Sequence, residues 1–163
     1  MPSLPPPDVA LDDRLKLLVE SYFRLTAKEL IAGKSQDVNA LRLALWDAPR
    51  AIVAHGAEDD PIFFYGNKLA LHLFEIDFMK FTRLPSRLSA EFVAQELRSR
   101  LIEKVSRSGF VEDYSGMRIA SSGRRFMIMD ATIWNIQDEA GGLHGQAAVF
   151  ISKDSAALNC CNT

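Results

Sequence analysis

The chain has 163 residues, 48% of them hydrophobic and 25% charged, with a formal net charge of -2. This suits one domain with a true core and lacks the basic excess that unaided nucleic-acid binding requires. No apolar run approaches the ~20 residues of a membrane span, and the opening MPSLPPPD has neither the basic nor the apolar region of a secretory signal.

Pro2, Pro5, Pro6 and Pro7 predict an extended, disordered lead over residues 1–8, with Asp8 placed to cap the first helix. Leu11, Leu15, Leu18, Tyr22 and Leu25 recur at steps of three and four, which makes one stripe of a helix ending near Gly33. Asp12, Lys16, Glu20 and Arg24 take the opposite side. Such a stripe must cover either a sheet face or a second copy of itself. A second helix is expected over Val38–Trp46, capped by Asp37 and broken by Pro49. Residues 9–47 thus read as a helical extension.

Two short strands are predicted at 51–54 and 62–65. Asn67 is a good cap for a helix over Lys68–Phe74. Residues 78–88, with Pro85 among them, read as irregular. Ser89 is expected to cap a long helix whose stripe is Val93, Leu97, Leu101 and Val105. Gly109 is placed to close that helix in a left-handed conformation.

The last third changes period. Residues 110–120, 124–137 and 143–151 are strand-like, separated by Ser121-Ser122-Gly123 and by a turn over 138–142. The middle run is apolar on both faces, with Phe126, Ile128, Trp134 and Ile136 on one and Met127, Met129, Ala131 and Ile133 on the other. A strand covered on both faces is central. One face is free to line an interior cup, and the N-terminal stripe is available to cover the other. The class is α+β: a five-stranded antiparallel sheet with helices on one face and an N-terminal helical extension.

Chemistry-bearing residues are scattered. His55, His72 and His144 match no metal-ligand spacing. Glu58, Asp59 and Asp60 could serve acid–base work, but a solvated turn before Pro61 accounts for them. No nucleophile motif and no phosphate-cradling glycine loop is present. Cys160 and Cys161, the only cysteines, are adjacent in a tail expected over 153–163 and cannot staple a core. Such cysteine usage fits a reducing cytoplasm.

Between residues 48 and 151, the stretches HGAEDDPIFFYGNKLALHLFEID, LPSRLSAE and DYSGMRIASSGRRFMIMDATIWNIQDEAGGLHGQAAVF resemble the MEKHLA domain, a PAS-related module. Members occur as small stand-alone bacterial proteins, the type this chain resembles, and at the C-terminus of plant class III homeodomain-leucine zipper factors, where the domain is thought to regulate dimerisation. No homeodomain, basic region or zipper stands in this sequence, so DNA binding does not carry over. The resemblance implies a PAS-like fold at 48–152 and a non-enzymatic sensory or regulatory function. A small molecule would occupy the cup, or a protein partner would bind, and a homodimer would form through the N-terminal helix. The rival readings are a small enzyme using His55 or a nearby acid as base, and an interaction domain with no ligand.

The cup walls expected on this basis are Phe64, Leu73, Phe74, Phe126, Ile128, and Trp134 or its strand neighbours on the opposite face. Polar specificity would come from Asn67, Arg87, Tyr114, Arg118 and Gln146, an arginine being suited to a carboxylate. Which face points inward stays open, since a one-residue slip exchanges every wall residue. No cofactor is expected: a flavin photosensor of the PAS class would need a cysteine in its small-helix region, and PAS haem domains commonly use a histidine on the long helix. Neither is present.

Overall fold

The computed structural model describes residues 3–6, 8–31, 37–89 and 92–153, and along the long helix it describes side chains from residue 99 onward, residue 102 excepted. The tail with Cys160 and Cys161 lies outside the described residues, as do part of the proline-rich lead and Gly33. Among the described residues no helix is long and apolar enough to cross a membrane.

Helix α1 spans Val9–Thr26. The Asp8 carboxylate accepts the Ala10 N–H at 3.0 Å, which satisfies one of the orphan donors of the first turn. The helix contains the whole stripe but ends before the expected stop near Gly33, because Ala27 turns left-handed at φ 58° and returns its N–H to the Phe23 carbonyl. Leu15, Leu18 and Tyr22 are buried against Trp134, Ile136 and Val149, so the stripe covers a face of the chain's own sheet. Polar contacts hold it in register. The Trp134 Nε1–H donates to the Leu18 carbonyl at 3.1 Å. The Ser21 hydroxyl donates to the Gln137 carbonyl and accepts its N–H, both at 2.8 Å. Helix α2, Val38–Trp46, comes next with its expected cap Asp37, and its Arg42 forms a two-pronged, mostly buried pair with Asp12.

The sheet has five strands: β1 Ala51–His55, β2 Phe63–Gly66, β3 Phe110–Ile119, β4 Arg125–Gln137 and β5 Leu143–Ile151. Their order is β2-β1-β5-β4-β3, antiparallel throughout. The face away from α1 is covered by α3 Lys68–Phe74, α4 Phe78–Phe81, a 3-10 turn Ser86–Ser89 and α5 Phe92–Ser108. The stretch read as irregular at 78–88 is therefore partly helical. Ser89 ends the 3-10 turn, and its hydroxyl donates to the Ser86 carbonyl; residues 90 and 91, across which it would cap α5, lie outside the described residues. Gly109 closes α5 at φ 91° as expected. Arg124 binds the β3–β4 hairpin to α3 through the Leu73 carbonyl.

Two of the sheet's register shifts decide which residues of β4 and β2 face the cup. Between Met129 and Thr132, β4 carries one residue more than the facing β5, and Asp130 takes φ 50°. An extra residue moves everything beyond it to the other face. Phe126 and Ile128 accordingly lie in the core under α3 and α4, while Trp134 and Ile136 lie under α1. This corrects the sequence expectation that all four share a face. The second shift is in β2, where Phe64 is the extra residue opposite Ala54–His55.

Candidate functional site

The helices on the cup face do not fill it. A cavity of about 60 Å³ remains, walled by Phe63, Phe74 and Leu101 and by Ile128, Ile133 and Phe150 from the sheet. Its polar lining is His55, Ser89, Arg118 and Gln146. By the share of liquid volume that one water takes, the space holds about two water-sized groups.

Arg118 is the side chain that stands out. It points inward from β3 and is 7% exposed. One Nη1–H donates to the Met117 carbonyl at 2.8 Å, and the guanidinium carbon lies 5.7 Å from the Tyr114 ring centre. No carboxylate of the described residues pairs with it. The approach depends on Gly116: a Cβ there would stand 2.6 Å from the Tyr114 hydroxyl and 3.2 Å from Arg118 Nη1.

The amide of Gln146 belongs to a buried network. Its Nε2 donates to Asn135 Oδ1 at 3.0 Å and to the Ser106 hydroxyl at 3.3 Å. Asn135 in turn donates to the Val105 carbonyl, so the network joins the end of α5 to the sheet. His55 Nδ1 lies 2.9 Å from the Gly56 carbonyl. The acids upstream of β2 are turn residues: Glu58 accepts the Ile62 N–H, and Asp60 pairs with Arg87 at 3.2 Å on the surface. Among the described residues, no group of three or more His, Cys, Asp or Glu is arranged to hold a metal ion.

Of the expected cup residues, Phe74, Arg118, Ile128 and Gln146 line the cavity. Tyr114 lies beside Arg118, and Leu73 and Phe126 are buried in the core around the cavity without lining it. The other four are corrected. Trp134 is on the opposite face because of the β4 shift. Phe64, the extra residue of β2, packs on that same face under the Arg14 guanidinium. Arg87 is exposed and occupied by Asp60. Asn67 is fully buried but spent on the backbone: Oδ1 accepts from Ile52 and Ala70, and Nδ2 donates to the Leu45 and Arg50 carbonyls. Phe63, Ile133 and Phe150 were missed as walls. The first two depend on the register shifts, and no feature of the sequence selects the third.

The comparisons with known proteins agree with this architecture. The family model of the MEKHLA domain matches residues 12–154, beginning inside α1 and thus well upstream of the motifs that start at residue 48. The rice (Oryza sativa) homeobox-leucine zipper protein HOX9 is 22% identical over 135 residues, 83% of this chain. The chain spans 16% of the length of that relative. Among solved structures, the PAS domain of a protein from Colwellia psychrerythraea superposes with a TM-score of 0.60 at 17% identity, over 71% of this chain and 97% of that one. The light-state dimer of the fungal blue-light photoreceptor Vivid gives 0.59 at 12% identity, over 91% and 97%. At such identities the likeness establishes the fold, which is PAS-like.

Proposed function

This chain belongs to the MEKHLA domain family, and on that premise we propose that it is a non-enzymatic sensory and regulatory module that takes a small molecule into the cup and reports its occupancy to a protein partner. The observation that carries the reading is an apolar cavity containing one mostly buried arginine that pairs with no carboxylate among the described residues. A domain built only to present its surface gains little from such a group, because keeping most of a charged side chain away from water without a counterion is costly. Catalysis would need a proton acceptor oriented by a second group in the enclosed space. The acids nearest His55 in sequence, Glu58, Asp59 and Asp60, are exposed on the turn.

Flavin and haem have no part in this reading. A cavity of about 60 Å³ does not admit either ring system, and residues 68–89 contain no cysteine to react with a flavin. The signal route is β4 itself. Ile128 and Ile133 of that strand line the cup, while Trp134 and Ile136 form the seat of α1. Movement of the wall therefore reaches α1 through a single strand. The outer side of α1, where Val9 and Phe23 are exposed, is the surface assigned to a homodimer.

The test is ligand-observed NMR with neutral and charged fragments of a few heavy atoms, on wild type and on Ile133→Trp, whose larger side chain fills the cup. At least one fragment should bind wild type, lose binding in the filled variant and alter hydrogen exchange in α1. If none binds at millimolar concentration, the reading gives way to an interaction domain without a ligand.

A further inference from the structure

We propose that the cup is a site for a short-chain monocarboxylate, with Arg118 gripping the carboxylate and the aliphatic and aromatic walls taking the tail; this deepens the small-molecule reading and rests on it. Guanidinium carries five N–H donors in a rigid fork that matches a carboxylate. Arg118 gives one to the Met117 carbonyl, and the remaining donors have no protein acceptor among the described residues. That single bond, with the Tyr114 ring on one side, holds the head in place and leaves the rest of the fork available.

The charge of the ligand is set by the lining. Arg118 is the one permanent cation among the described lining residues, and most of the others are apolar. One carboxylate cancels its charge. A dicarboxylate would leave a second anion in an apolar enclosure, at the cost of its hydration. Sulfate and inorganic phosphate offer acceptors on every side and no apolar surface to meet Ile128, Ile133 and Phe150. Size then limits the tail: the space holds about two water-sized groups, which restricts the site to the shortest acids, with acetate, propionate and butyrate as a graded series that measures how much tail it admits.

The test is thermal unfolding of the full chain in equal ionic strength of chloride, acetate, propionate, butyrate, succinate and sulfate, with propionamide as the neutral counterpart of propionate. Wild type and Arg118→Met are compared. The short monocarboxylates should raise the melting temperature of wild type above the chloride reference, while any rise in succinate, propionamide or sulfate, the last a general stabiliser of folded proteins, should be the same in both proteins. In Arg118→Met the monocarboxylate rise should vanish, with apparent affinity for propionate falling by about 30-fold or more, the usual loss when one partner of a buried charge pair is removed. Arg118→Met without ligand should also melt higher than ligand-free wild type, since it removes an uncompensated buried charge.

Three results would overturn the inference. If propionamide stabilises as well as propionate in both proteins, the cup binds small molecules but not by charge, and only the carboxylate assignment fails. If sulfate gives a rise as large as that of propionate and the rise is lost in Arg118→Met, Arg118 is a general anion contact. If no compound acts and Arg118→Met melts lower than wild type, Arg118 is a structural residue and the small-molecule reading falls with the carboxylate.

Discussion

Asn67 and Tyr65, two residues apart, are both buried polar groups with opposite hydrogen-bond balances. Asn67 serves four backbone groups, joining the end of α2, the start of β1 and the cap of α3. Asn67→Ala strands those groups out of water and should lower stability by about 3 kcal/mol or more, read from the midpoint of a urea transition. A wild-type midpoint would mean that the asparagine pins nothing. Tyr65 has a buried hydroxyl without a partner among the described residues. Burial first, and then the charge of Asp47, push its phenol far above the usual tyrosine range. In the native state the proton is therefore held, and the unfolded chain loses it near pH 10. Stability linked to Tyr65 is full below that pH and falls as pH rises above it. Tyr65→Phe should be neutral or stabilising by about 1 kcal/mol at pH 7, and should flatten the alkaline fall. At this scale the cap role of Asn67 was legible, because asparagine before an apolar helical run is a local signal. Its other bonds were not, since nothing local says which distant backbone groups will meet an amide.

The elements differ in the same way. The α1 stripe was legible from spacing alone, and its burial on the sheet decides how it must be probed. Leu15 and Leu18 are 1% and 0% exposed within a single chain. Replacing both with glutamate removes about 1.5–3 kcal/mol of burial for each and forces two carboxylates against Trp134 and Val149. The double variant should lose its cooperative melt or drop in melting temperature by about 10 °C or more, with tryptophan emission shifted to the red. Unchanged melting and emission would show that α1 is not seated on β4. A change of oligomeric state in this variant would not report on a dimer contact, because these leucines are spent inside the chain. Phe23 is the position for that question. The end of α1 and the two register shifts were not legible. The stop is an alanine in a left-handed conformation, the β4 shift centres on an aspartate, and an alternating apolar pattern reads the same with or without one extra residue.

At the scale of the whole molecule, one sheet does two jobs. One face is closed by α1 and completes the core. The other carries α3, α4 and α5 at a distance that leaves a cup, and Arg118 crosses into it from β3. Strand number, class and the approximate place of the cup were legible, because two-sided apolar patterning and the run of three long strands survive any small register error. The identity of the wall was not, because it depends on where each shift falls. The measurement that tests this account most directly is a crystal structure of the full chain grown with sodium propionate. The account predicts a carboxylate within hydrogen-bond distance of the Arg118 guanidinium, its tail among Ile128, Ile133 and Phe150. A cup closed by its own side chains, with Arg118 turned to solvent or paired to a carboxylate of its own chain, would contradict it.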